Sequence, residues 1–564
     1  MAKDYFPIDE NPETSLRACA FFLAQDLGEP KAQAEILTRI VGHYLAAGEL
    51  DLAAQALEPL YDVSDSHERE QRFAELAAVA ASAGHDDFAV SLAEACEDFT
   101  WADAARHDAA LAQAERGDYA AARAMVAPLA YPEPSLVEVA RFAAEKDEAQ
   151  ALSIAADIEE PRARSVVLLE VAARRAAAGR GADALNLLLA TETVLPQIDL
   201  PDEHLDALCT LGTRYAALER REKALQLLAQ AQAIAEDAAD DNMLLRVADS
   251  YLAMGDTDRA RYVAEEIDAF DISWFYANIA HAQARAGDFA SARKLLATLK
   301  EDQHQGRGCL FLARAYQENG DEANFQAQLA RALALARDTR VKTNEDAKSR
   351  AALLGAIAAE YLEKDAAQAR AVAASMPEGP PLDEVWQRIA AQEAADGRWR
   401  DALNTAENIA APAARAQTQT ALARQIAEFE ARTTKNWTLV HTALDAISPQ
   451  VFPARLAARL DVADFLAQQG ADDEADKLRQ SARQEAEAQE RPAVAALGLA
   501  TIAARATDPD AAAQLFSAAV AQTAPLKDPY AAARALLDLA DIRDKIGVAL
   551  DETAQILLQQ HLPV

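Results

Sequence analysis

The 564-residue chain is poor in the residues that punctuate structure. It has only 19 Gly and 21 Pro, and 6% of its residues are aromatic. Glycine and proline interrupt helices, so their scarcity, with few β-branched runs and abundant Ala and Leu, leaves helix favoured throughout. Cysteine is scarcer still. Cys19, Cys96, Cys209 and Cys309 lie far apart in apolar helical contexts, with no Cys-x2-Cys. That spacing excludes a disulfide framework and reads as four small core residues. Basic charge is in deficit, with 55 Lys and Arg against 91 Asp and Glu, a formal net charge of −36. Phosphate backbones need clustered cations, so direct nucleic-acid binding is not expected, nor is adhesion to an anionic membrane. The longest weakly polar stretch, 493–504, is too short to span a bilayer. Met1-Ala2-Lys3-Asp4-Tyr5-Phe6 has no apolar run before its acids. No signal peptide is therefore expected, and a cytoplasmic location is the default.

Catalytic and ligand-binding motifs are equally sparse. No His-Glu-x2-His, P-loop, dinucleotide fingerprint or Gly-x-Ser-x-Gly occurs. The densest group of metal-ligand types is Asp202, Glu203, His204, Asp206 and Cys209. It follows Pro201 at the start of a helix, where Asp202 reads as a cap rather than a ligand. Neighbouring carboxylates are inevitable among 91 acids and carry no signal. No catalytic residue, cofactor or metal is expected.

What the sequence does contain is a beat. Gly-x4-Ala recurs at Gly48/Ala53, Gly84/Ala89, Gly117/Ala122, Gly179/Ala184, Gly255/Ala260, Gly287/Ala292, Gly397/Ala402 and Gly470/Ala475, and Gly320 keeps time with Phe325 in the Ala place. Neighbouring glycines lie 32 to 36 residues apart, or about twice that where a beat is missing. Lys146/Ala151, Glu219/Ala224 and Lys364/Ala369 keep the Ala without the Gly. A fixed period in this range marks stacked helical repeats. Residues 242–267 show the unit. Leu244, Val247, Ala248, Tyr251 and Leu252 make an apolar stripe at helical spacing, and Gly255 ends the helix. Asp256 and Asp258 favour the start of a second helix, and Ala260, Val263, Ala264 and Ile267 face the first. Each unit is a helical hairpin that must stack on its neighbours to bury its outer face.

The hairpin resembles the tetratricopeptide repeat. Leu208-x2-Leu211-Gly212-x2-Tyr215 followed by Ala224, Leu228 and Ala231 matches that pattern best, and Trp386-x2-Ile389 with Gly397 and Ala402 matches a different subset. Tyr44, Tyr251 and Tyr316 precede their glycines by four residues, as in the family. The closing Pro is mostly absent. The resemblance implies an all-α solenoid of about 14 stacked antiparallel hairpins in a right-handed superhelix, with a concave groove that binds proteins or peptides. It also implies that the first helix of each hairpin lines the groove, through residues five before and two after a buried Leu-like position. With Val247, Ile279 and Leu312 at that position, the partner-binding residues are Asn242 and Asp249, Trp274 and His281, and Arg307 and Arg314. The Lys/Asn clamp that some relatives place around a C-terminal carboxylate is missing.

Breaks in the beat suggest an organisation. Residues 1–12 read as an extended lead-in, 13–335 as a first array and 336–350 as a basic linker or long loop. A second array follows over 351–546, and 547–564 reads as a capping helix with an exposed Pro563-Val564 end. The functional expectation is a non-enzymatic scaffold or adaptor with a protein or peptide partner. An acidic regulator that masks the basic surface of a nucleic-acid-binding protein is the alternative, and a helical-toroid enzyme a more distant one.

Overall fold

The structure is a computed structural model that describes residues 6–268 and 271–562. Residues 1–5, 269–270 and 563–564, which include the Pro563-Val564 end, lie outside the described residues. Among the described residues every regular element is helical and there is no strand. Fourteen helix pairs follow one another from Pro30–Ala47 with Leu50–Tyr61 to Pro492–Ala503 with Pro509–Ala521. The chain divides into two compact units. One is Met1–Ile158 together with Arg455–Val564, and the other is Glu159–Ala454.

The recurring Gly and Ala each have one physical job. Gly255 has φ 74° and opens onto free space, so the position demands a left-handed backbone and nothing else. The Gly255 N–H bonds the Leu252 carbonyl and the Asp256 N–H bonds that of Tyr251, which closes the first helix. The Asp256 side chain then accepts from Arg259 N–H and caps the second. Asp288 and Asp321 repeat the cap onto Ser291 and Asn324. The alanine that follows is fully buried in each case, from Ala53 to Ala475. The beats without Gly are built in two ways. Glu219 adopts φ 61° itself. Asp147, as the single residue between its helices, and Asp365, as the last of three, instead turn the chain at φ −146° and −143°.

Prolines sit at helix starts, as at Pro134, Pro201, Pro380 and Pro381, where a missing N–H costs nothing. Asp202 is not the cap of its helix. Leu200 holds that place with Pro201 behind it, and Asp202 lies in the first turn. In the 336–350 segment, Glu322–Asp338 ends and Asn344–Leu362 begins, so 339–343 alone is non-helical there. Thr343 and Asp346 form a capping box at its end.

The first and last parts of the described chain pack on each other. The last long helix, Pro529–Ile546, packs on Leu16–Gln25 much as a first helix packs on its second within an ordinary hairpin. Leu16, Cys19 and Phe21 are buried, as are Leu536, Leu537 and Leu539. The segment that reads as a cap, Glu552–Gln559, lies against Pro509–Ala521. The final hairpin is thus assembled from the two ends of the chain, inside one compact unit.

Candidate partner-binding surface

The three positions that set the register are buried: Val247 and Ile279 at 0% exposure and Leu312 at 1%. Their helices, Asp241–Ala253, Ser273–Arg285 and Asp302–Glu318, are first helices of successive hairpins, and the last two pack side by side. Asn242 and Asp249 are exposed on the first of them. The Asn242 N–H is held by the Asp240 cap at 2.8 Å. Trp274 is 36% exposed and meets the buried Phe275 edge-on, with ring centroids 5.8 Å apart.

His281, Arg307 and Arg314 converge on a residue the sequence reading passed over. Phe311 stacks on the His281 ring at 4.4 Å with 17° between the planes. Arg307, one turn before Phe311, holds its guanidinium 5.4 Å from the centre of the same ring. Arg314 turns toward the following hairpin, where its Nε donates to Glu360 Oε1 at 2.7 Å. Burial pushes the His281 pKa down, and the nearby Arg285 and Arg314 add to that against the opposing Glu318. His281 is therefore a neutral ring at neutral pH, with an apolar face on Phe311 and polar nitrogens at its rim. The signal for Phe311 lay in helical spacing, since it stands four residues after Arg307 and three before Arg314. The structure brings together His281, Arg307 and Arg314 around Phe311. Asn242, Asp249 and Trp274 lie on the same series of first helices without a direct bond to that cluster among the described contacts.

Close packing holds these helices in place. A Cβ added at Gly308 would land on Leu296 of the preceding hairpin, and one added at Gly306 would press on Leu353 of the next at 3.0 Å. Phe289 of the preceding hairpin and Tyr316 stack at 4.2 Å. Elsewhere, the residues of the metal-like group go separate ways. Asp206 pairs with Arg246 at 2.6 Å, Glu203 pairs with Arg162 at 2.9 Å and Cys209 is buried. Among the described residues no three ligand-type side chains gather as a metal site would need. No helix among them is long and apolar enough to cross a membrane.

First helices in register, left-handed joints and buried alanines together decide the architecture. The chain is an all-α array of stacked helical hairpins. No family model matches the chain, and no curated protein does. Solved helical-repeat structures are similar to it over most of its length. The Naa15/Naa10 complex bound to HypK-THB is 12% identical with a TM-score of 0.23, covering 94% of this chain and 99% of that one. The APC/C hetero-tetramer Cut9–Hcn1 is 12% identical with a TM-score of 0.23, covering 94% and 100%. A signal-transduction ATPase with a tetratricopeptide-repeat sensor from Pyrococcus horikoshii is 14% identical with a TM-score of 0.22, covering 81% and 63%. The repeat architecture of this chain rests on its own hairpin geometry.

Proposed function

We propose that this tetratricopeptide-repeat-like protein is a non-enzymatic cytoplasmic scaffold that holds a segment of a partner protein against the first-helix face between residues 242 and 314. The observation that carries the reading is the Arg307–Phe311–His281 stack beside Arg314, with the half-exposed Trp274 on the same helix as His281. Cations and aromatic faces are grouped here in a chain whose net charge is −36. Such a group suits a segment that alternates carboxylates with apolar side chains. The guanidiniums take the carboxylates, and the Phe311 and Trp274 rings take the apolar groups. Asn242 and Asp249 extend the face by one hairpin with polar, exposed side chains.

The test is capture of partners from the source cell by the intact protein, quantified by mass spectrometry. Trp274→Ala with Phe311→Ala removes the aromatic surface and leaves the Arg314–Glu360 pair intact. Capture of the principal partner should fall at least ~10-fold, because interface aromatics commonly contribute ~2 kcal/mol or more each. Glu265→Lys is the control, since Glu265 is exposed just past the end of a second helix and pairs locally with Arg261 at 3.0 Å. Undiminished capture by the double variant, with helicity intact, removes this face from consideration. The excess of acid supports a second reading, an acidic regulator on a basic surface. Capture that collapses between about 50 and 200 mM salt, in the parent protein and the double variant alike, selects that reading instead.

A further inference from the structure

The hairpin made from the two chain ends is joined differently from the others. Arg17 is buried and reaches Asp541 at 3.1 Å and Asp544 at 2.6 Å. Arg39, on the following Pro30–Ala47 helix, reaches Asp538 at 2.7 Å and Asp541 at 2.5 Å. Asp538, Asp541 and Asp544 recur every third residue, so one acidic stripe of Pro529–Ile546 faces two cations of the N-terminal helices. Tyr530 donates to Glu35 at 3.0 Å farther along the same seam. Beside Tyr530 lies an open cleft of about 510 Å³, lined in part by Asp26, Glu29, Glu35 and Asp528. The seam is therefore apolar at its centre, charged along its length and open at one end.

We propose that this seam is an association surface for a second copy of the chain. When it parts, each molecule exposes two surfaces that match each other, the Arg17/Arg39 face and the acidic stripe. A second copy offers the same two. Two chains can then exchange faces across a twofold axis and form two seams identical to the original one. The break falls between Leu16–Gln25 and Pro529–Ile546, because the N-terminal helix is tied to its own side. Gln25 bonds both the N–H and the carbonyl of Phe6, Tyr44 donates to Glu10, and Gln55 bonds Asp9. At every sequential hairpin a joint of a few residues keeps the two helices together and makes exchange with another molecule uncompetitive. At the seam the faces are linked only through the rest of the chain, with Arg17 and Asp541 separated by 524 positions. The advantage of closing on oneself is smaller there than at any other helix pair.

The test uses two full-length variants with opposite faces reversed. One carries Arg17→Glu and Arg39→Glu. The other carries Asp538→Arg and Asp541→Arg. Each alone repels itself across the seam, and each also repels a second copy of itself. A one-to-one mixture restores attraction at both seams between unlike chains. Light scattering should give a monomer mass for each variant alone and twice that mass for the mixture. A mixture that stays at monomer mass, with both variants helical by circular dichroism, overturns the proposal. If either variant does not fold, single Glu35→Cys and Tyr530→Cys chains replace them, treated with a short bis-maleimide after mixing in high salt and desalting. The four native cysteines are buried and do not compete. A covalent heterodimer supports exchange. Its absence, while the Glu35→Cys/Tyr530→Cys double variant cross-links within one chain, overturns it.

Discussion

The hairpin at Asp241–Ala253 and Thr257–Ala264 and the hairpin built from the chain ends solve one packing problem by different means. In the first, a Met-Gly-Asp joint turns the chain within three residues, and Ala260, Val263 and Ala264 are buried in one core with Val247, Ala248 and Tyr251. Ion pairs there lie at the rim, as where Arg259 meets Asp256 at 2.7 Å with its own side chain 52% exposed. In the second no joint exists, and a 10% exposed Arg17 side chain sits between two carboxylates. Covalent proximity lets a local hairpin rely on apolar contact alone. Where proximity is missing, directional charge sets the register, which is the best-attested use of a desolvated ion pair.

Three substitutions sharpen that contrast. Arg17→Glu should have the largest effect. It replaces a buried cation with an anion facing Asp541 and Asp544, and we expect a loss of about 3 kcal/mol. That is the low end for breaking a buried pair, because both aspartates are near 42% exposed and water screens them. The loss should also shrink at higher salt, as read from denaturant midpoints at two ionic strengths; a salt-independent loss would mean the pairs do not set the seam. Ala260→Leu comes next. It should cost roughly 1–3 kcal/mol by forcing apart two helices that meet at a fully buried position, and salt should leave that cost unchanged. An unaltered melting temperature would show that the helices do not cross at Ala260. The smallest effect belongs to Gly255→Ala. Its Cβ would meet nothing within 4 Å, so only the strain of φ 74° remains, at about 1 kcal/mol. A stabilising result there would contradict the left-handed joint.

Much of the local architecture was legible because it is written locally. Each Gly, Asp and Ala of a joint acts within five residues of the next, so a period in sequence becomes a period in space. The first-helix register was legible for the same reason: once Val247, Ile279 and Leu312 were taken as buried, the outward positions followed from helical spacing. Phe311 escaped because an aromatic residue beside Leu310 and Leu312 looks like core, and only the neighbouring hairpin's His281 shows that it faces outward. The Glu360 partner of Arg314 escaped because it lies 46 positions ahead on another first helix. Nothing periodic announces the seam. Its one sequence trace is the spacing of Asp538, Asp541 and Asp544 along a single face of the last long helix, a stripe of like charge that an isolated helix would avoid.

The seam also sets a schedule for synthesis. Among the described helices Leu16–Gln25 is synthesised first, and Pro529–Ile546 after all but one of the others. At about 5–20 residues per second, the interval between them is on the order of half a minute to two minutes. Every sequential hairpin finds its second helix within seconds of its first. Throughout that longer interval Leu16, Cys19 and Phe21, which are buried in the finished fold, wait for the helix that packs over theirs.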